Sequence, residues 1–289
     1  MLIPVVIIGA GPAGIMAAIQ LTRSGIDFLL LEKNRIGGLL HEANWVENFP
    51  GIGGGITGKA LAGRLKRQLN QMDIKTEKAT VNRLAYHGKT FSIHTEKQAM
   101  RATKVILACG TLPIPPGPPL DHPLLRRRVY TSVLPLRNIR DKTIAVIGGG
   151  DAAFDYALNL AAKNQVHIMF RSAKPHALPL LIERCRRHHH ITIHENSPLT
   201  DARTGTEADE IILETREQEI PCQLLLTAFG REPACHFMEP DLAAGGAGLQ
   251  AQKRLFMVGD AANGRFRQAA IAAGDGLRAA LEIYGGQPK

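Results

Sequence analysis

The 289-residue chain is poor in aromatic residues, which make up 5% of it, with a single tryptophan. Its four cysteines, Cys109, Cys185, Cys222 and Cys235, are far apart, and no CxxC occurs. That spacing argues against a disulfide scaffold, a zinc knuckle and a local redox dithiol. No stretch approaches the ~18 consecutive apolar residues of a membrane span. The apolar run Val5–Ile8 ends at a glycine-rich turn with no basic segment before it, so it does not read as a signal peptide. A cytoplasmic location is therefore the expectation. No HExxH and no Ser/His/Asp order is present, so hydrolysis has no support. Acidic residues are outnumbered, 26 against 35 basic ones, for a net charge of +9. That excess leaves four sources open: nucleic acid, an acidic protein partner, phosphate-bearing ligands or a solvated surface. Composition is otherwise that of a folded protein, 45% hydrophobic and 21% charged.

What is present is an internal repeat. VVIIGAGPAGIMAAIQLTRSGIDFLLLEK begins at Val5, and IAVIGGGDAAFDYALNLAAKNQVHIMFRS begins at Ile144. Aligned without a gap, Gly9 falls on Gly148, Gly11 on Gly150, Gly14 on Ala153 and Glu32 on Arg171. Each copy reads strand, glycine-rich turn, amphipathic helix, strand: the βαβ dinucleotide fingerprint in its required context. Gly9 and Gly148 permit the tight turn. Gly11 and Gly150 leave room for a pyrophosphate. Gly14 or Ala153 lets the helix lie close to the strands. Pyrophosphate then accepts from free N–H groups at the helix start, assisted by the helix dipole. The competing reading is a glycine-rich turn that binds nothing, and two copies in register make it the weaker one.

The residue closing each copy separates the two. A carboxylate at Glu32 accepts from ribose hydroxyls, which suits FAD or NAD. A guanidinium at Arg171, with Lys174 close by, suits the 2′-phosphate of NADPH; the bland alternative is a surface arginine at a strand end.

The sequence resembles the thioredoxin-reductase-like branch of the two-dinucleotide-binding flavoproteins, which holds low-molecular-weight thioredoxin reductases and ferredoxin–NADP reductases of the same fold. GAGPAG (Gly9–Gly14, including Pro12 and Ala13), Glu32 with Lys33, and Gly37, Gly38 and Leu39 are similar to the family's FAD motif. NWVENFPG (Asn44–Gly51), with Asn48, is similar to its flavin-contacting loop. ILACGTLP, with Gly110, resembles the exit from the FAD domain. GGGDAAFDYALNL, with Asp151 and Ala152, resembles the opening of the pyridine-nucleotide domain. GDAANGRFRQAAIAAGDG resembles the C-terminal FAD motif, with Gly259, Asp260, Arg267, Gln268 and Ala269 as cofactor contacts. On residues alone, Asp260 reads equally well as a helix N-cap, and Asn48 as a turn residue.

The resemblance implies an α/β fold of two Rossmann-like dinucleotide-binding domains, the NAD(P)H domain inserted in the FAD domain. The expected segments are 1–113 (FAD), 114–229 (NAD(P)H) and 230–289 (FAD). It implies FAD and NADPH as cofactors, with NADH as the substitute, hydride transfer to flavin without a catalytic side chain, and a homodimer. Two departures stand out. The family's CxxC before the second fingerprint is absent from LLRRRVYTSVLPLRNIRDKT, and the HRR after the second strand is Phe170-Arg171-Ser172. The expected acceptor is thus outside the chain: an acidic redox protein (ferredoxin, flavodoxin or thioredoxin-like) or a small molecule. An electron-transfer or binding module without NAD(P)H turnover, and a disulfide reductase using a partner's dithiol, are the alternatives.

The remaining segments read more simply. Thr111–Pro123 is proline-rich and extended. Gly51–Gly58 precedes a helix expected over Lys59–Met72, and Thr80–Ala108 alternates like an antiparallel appendage. The basic runs Arg126–Arg128 and Arg184–His190 lack aromatic interleaving, so nucleic acid is disfavoured. Adjacent histidines without an acidic or thiol shell do not suit a metal. A solvated face, or a docking patch for the acidic partner, remains. Cys109 reads as a small buried residue, and Cys185, among arginines, as inert for want of a partner.

Overall fold

The computed structural model describes residues 2–207 and 209–286. β1 (Leu2–Ile8), α1 (Pro12–Arg23) and β2 (Phe28–Glu32) form the first βαβ unit. α2 (Gly58–Gln71) starts where Thr57 caps it, its side chain accepting from the Ala60 amide at 3.3 Å. β3 (Thr76–Lys78), β4 (Val81–His87), β5 (Thr90–Thr95) and β6 (Ala99–Leu107) follow, and β7 (Thr111–Pro113) leads out. Next come β8 (Val129–Tyr130), β9 (Thr143–Ile147), α3 (Asp151–Ala161), β10 (Gln165–Met169), α4 (Pro179–Arg186) and β11 (Ile191–His194). β12 (Asp201–Thr204), β13 (Ile211–Glu214) and β14 (Glu219–Cys222) form a small antiparallel sheet. β15 (Leu224–Thr227) and β16 (Arg231–Pro233) lead back to α5 (Pro240–Ala251), β17 (Leu255–Met257) and α6 (Ala269–Gly285).

The chain divides into two compact units. One is Met1–His41, Val46–Leu112 and Glu232–Lys289; the other is Glu42–Trp45 and Pro113–Arg231. Where the sequence placed the boundaries after 113 and 229, the contacts place them after 112 and 231. The short Glu42–Trp45 segment, which the sequence left in the first part, groups with the second unit.

In the first unit β3, β2, β1, β6 and β17 run parallel. The early half of β6 also pairs antiparallel with β5, and β5 with β4. The expected appendage is therefore part of the main sheet. Parallel strands covered on both faces need apolar side chains on both, which is why Val5-Val6-Ile7-Ile8 does not alternate. Val5 and Ile7 pack in one cluster with α1 and α6, while Val6 and Ile8 pack in another with Leu84, Phe91 and Leu249. The second unit holds a five-stranded parallel sheet in the order β11-β10-β9-β15-β8, with Val146, Phe154 and Leu226 fully buried.

Candidate dinucleotide sites

The turn between β1 and α1 is fixed by backbone crowding. Gly9 lies at φ +107°, and a Cβ there would come 2.3 Å from the Ala108 carbonyl oxygen. Only glycine fits such a position. Gly11, by contrast, faces open space, with nothing within 4 Å of an added Cβ. As the α1 N-cap it supplies no side-chain hydrogen bond. No side chain caps the start of the helix, an arrangement that suits an anion.

Glu32 ends β2 beside this turn. Its Oε2 accepts from the Ala10 amide at 2.8 Å and its Oε1 from the Asn34 amide at 2.7 Å. The carboxylate is therefore oriented by backbone before any ligand arrives, and each oxygen keeps a lone pair. Lys33 is exposed. Gly37 donates to the Ala10 carbonyl at 2.7 Å, drawing Gly37, Gly38 and Leu39 against the turn. Pro12 opens α1, and Ala13 and Gly14 are buried in it. Gly14 packs on the turn itself: an added Cβ would lie 1.9 Å from the Gly9 carbonyl oxygen.

The C-terminal motif reaches the same place. A Cβ on Gly259 would lie 3.0 Å from Ala13 Cβ, and one on Gly276 would lie 2.0 Å from the Ala13 carbonyl oxygen. Asp260 sits in a short 3-10 turn after β17, half-buried, rather than capping α6. The α6 N-cap is Gln268, next to Arg267 and before Ala269. The Asn48 side-chain amide donates to Gln268 Oε1 at 3.0 Å, so the two loops meet. Asp275 was not singled out from sequence. Its Oδ2 accepts from the Gly259 amide at 3.1 Å and from Asn263 at 2.5 Å, holding this turn in place. Its only sequence signal is an acid inside an alanine-rich helix.

The second turn repeats the first. Gly148 lies at φ +156°, and an added Cβ would sit 2.7 Å from the Ala228 carbonyl oxygen. Gly150 faces open space and caps α3 without a side-chain bond. Asp151 Oδ1 accepts from the Leu178 amide at 2.8 Å. Ala152, Arg171 and Lys174 are exposed, Arg171 lying beyond the end of β10.

Ser132, in the segment before the second fingerprint that holds no CxxC, belongs to a polar cluster. Buried Glu42 accepts from Ser132 Oγ at 2.9 Å and from Tyr156 Oη at 2.7 Å, with Arg231 at 3.9 Å. Burial, then the Glu42 charge, pushes the Tyr156 hydroxyl well above its usual range, so it stays a donor.

The sequence profile of the family described as "Pyridine nucleotide-disulphide oxidoreductase" matches residues 3–276. The chain belongs to this family. It is 28% identical over 293 residues to the thioredoxin reductase of Mycolicibacterium smegmatis, covering 96% of this chain and 94% of that one. It is 28% identical over 302 residues to NADPH-dependent thioredoxin reductase 3 of Arabidopsis thaliana, covering 96% of this chain but spanning only 57% of that protein. The crystal structure of Lactococcus lactis thioredoxin reductase in its FR conformation matches with a TM-score of 0.86 at 27% identity, covering 98% of each chain. The family member described here is thus thioredoxin-reductase-like, of a class of FAD-dependent oxidoreductases drawing on NADPH. The two open, uncapped helix starts and the preset Glu32 carboxylate fit those dinucleotides.

One cysteine expectation changes, that for Cys109. Cys185 is fully buried despite its arginine neighbours, and burial pushes its thiol up to about 12. Cys109 lies just past β6, half-buried, with its sulfur 3.2 Å from that of Cys235. Spacing along the chain concealed that pair. The basic runs are partly neutralised: Arg187 pairs with Glu183, Arg186 with Glu195 and Arg128 with Asp209. Arg184, Arg187 and His188 also line a pocket with Trp45, Asp155 and Leu181. Among the described residues no helix is long and apolar enough to cross a membrane, and no group of three or more potential metal ligands gathers.

Proposed function

We propose that this chain passes hydride from NADPH to FAD and then delivers the electrons to an acceptor outside itself. The observation that carries the reading is the pair of matched turns closed by opposite charges, Glu32 in one and Arg171 in the other. Bound flavin supplies the two-electron chemistry. The α1 amides and Gly11 receive one pyrophosphate, and Glu32 accepts from the ribose hydroxyls of the same dinucleotide. The α3 amides and Gly150 receive the other, and Arg171 with Lys174 pairs with its 2′-phosphate. No side chain transfers a proton in hydride donation, so alignment is the protein's contribution.

Ser132 lies in the segment that lacks the family's CxxC and donates to Glu42, a contact between groups that carry no electrons, which supports an external acceptor. Likeness to thioredoxin reductases supports a disulfide on a thioredoxin-like partner, steered by the cationic rim at Arg184, Arg187 and His188.

The test is anaerobic titration of the purified yellow protein with NADPH and NADH, followed by addition of oxidised thioredoxin or ferredoxin. The expected result is bleaching by NADPH and recolouring by a protein disulfide. Bleaching by neither nucleotide overturns the proposal in favour of a flavoprotein module without turnover. Recolouring by ferredoxin alone overturns the disulfide acceptor and leaves the hydride step standing.

A further inference from the structure

The sequence placed Cys109 and Cys235 as unrelated single cysteines. The fold brings their sulfurs to 3.2 Å, although 126 positions separate them. Both lie in the first unit, each close to one end of the second unit's long segment, Pro113–Arg231. Cys109 precedes Gly110 and β7, and Cys235 follows β16 and Ala234. The Ala234 amide donates to the Gly110 carbonyl at 3.0 Å, so backbone already holds the two neighbours in register. A disulfide requires ~2.05 Å between sulfurs. The remaining gap of about 1.2 Å lies within the reach of side-chain rotation on a fixed backbone.

We propose that Cys109 and Cys235 form a reversible disulfide, a redox site separate from the flavin chemistry, which low-molecular-weight disulfides oxidise. Cys235 attacks one sulfur of the small disulfide, forming a mixed disulfide and releasing one small thiol. Cys109, losing its proton, then attacks Cys235 Sγ and expels the second small thiol. Two protein thiols are oxidised, and one small disulfide is reduced to two thiols.

Chemistry favours this order. The Cys109 S–H steadies a thiolate on Cys235 and moves the Cys235 pKa below its ordinary value, while the same contact and burial hold Cys109 as the thiol. The attacking sulfur is thus the thiolate, and the resolving one is already in van der Waals contact. Cys185 and Cys222 are fully buried and pushed up to about 12, so they do not compete.

The position has consequences. The closed loop holds the whole second unit's continuous segment, Pro113–Arg231. Cys109 also abuts the first dinucleotide turn: a Cβ on Gly9 would lie 3.2 Å from Cys109 Cα, and the charge of Lys33 acts on the Cys109 sulfur. The disulfide therefore forms where the Pro113–Arg231 segment leaves and rejoins the first unit, beside the turn assigned to FAD.

The experiment uses the full chain with its flavin, incubated without denaturant in bis(2-hydroxyethyl) disulfide, quenched with acid, digested with trypsin and mapped by mass spectrometry. The expected product joins peptide 105–126 to peptide 232–253, with loss of two hydrogens and two of the four thiols, and dithiothreitol reverses it. In Cys109→Ser the mixed disulfide stays on Cys235. A wild-type protein that holds all four thiols, forms the link only after unfolding, or stops at a persistent mixed disulfide overturns the proposal. None of these readouts depends on NADPH or on the acceptor, so failure here is distinct from failure of the hydride reading.

Discussion

The two βαβ units obey one backbone plan and differ in what closes them. Gly37 donates to Ala10 at 2.7 Å, and at the equivalent register His176 donates to Gly149 at 2.7 Å. Ala108 donates to Ile8 at 2.9 Å, and Ala228 to Ile147 at 2.8 Å. Crowding over Gly9 is matched over Gly148. The strand ends then diverge. Glu32 folds back onto its turn, whereas Arg171 stays exposed, and Asp151 binds Leu178 instead. Phe28 of β2 has a histidine, His167, as its counterpart in β10. The turn is thus a property of backbone shared by both units, and choice of nucleotide rests on the residue just past the second strand.

The comparison breaks most severely at the first turn. Gly9→Val, with φ +107° and a carbonyl oxygen in its path, is expected to destabilise the protein by about 3 kcal/mol or more and abolish flavin retention. Chemical denaturation and flavin absorbance measure both. Normal flavin content in this variant would refute the assignment of that turn.

Arg171→Ala sharpens the contrast from the other side. Losing a charged contact to the 2′-phosphate is expected to weaken NADPH by about tenfold or more while sparing NADH and FAD. Equal losses for NADPH and NADH would sink the assignment. Glu32→Gln is expected to cost about 1–2 kcal/mol in FAD affinity, read as faster flavin release, with nicotinamide binding unchanged.

The smallest effect concerns the Phe28/His167 difference. His167 Nδ1 lies 2.9 Å from His194 Nε2, a contact that needs one donor and one acceptor. Burial, reinforced at His167 by its neighbour, lowers both pKa values. Unfolded histidines take up protons near pH ~6.5, before the folded pair does, so stability falls as pH drops through that region. His194→Gln keeps donor and acceptor but does not titrate. Its thermal midpoint should fall less than that of the wild type between about pH 7.5 and about pH 5.5. Parallel falls would remove the pair as the cause.

Much of this organisation was readable because it is local. Each fingerprint lies in one short stretch, and its glycines report backbone crowding directly. What escaped notice depends on distant partners. Asp275 acts on Gly259, and Cys109 on Cys235, at separations that carry no periodic signal. α5 was hidden for another reason. Gly245, Gly246 and Gly248 each weaken a helix by about 1 kcal/mol relative to alanine, so propensity argues against it. Leu242 and Leu249, buried against the sheet, hold it in place. Glu42 escaped because nothing nearby in sequence discloses Ser132 or Tyr156 as its donors.

The insertion also orders events during synthesis. Apart from Glu42–Trp45, the second unit is contiguous, so all its strands and helices have been synthesised once Arg231 has been added. The first unit must wait. One side of α1 is covered by α6, through Gly276 against Ala13 and through Ala272, Ala279 and Ala280 in the shared core, and these residues follow the second unit in the chain. Until then the apolar surface of α1 has no cover, and contacts so distant in sequence are slow to form. The part that begins first on the ribosome is the part that closes last, and a nascent chain stalled near Met257 would present exposed apolar surface to chaperones.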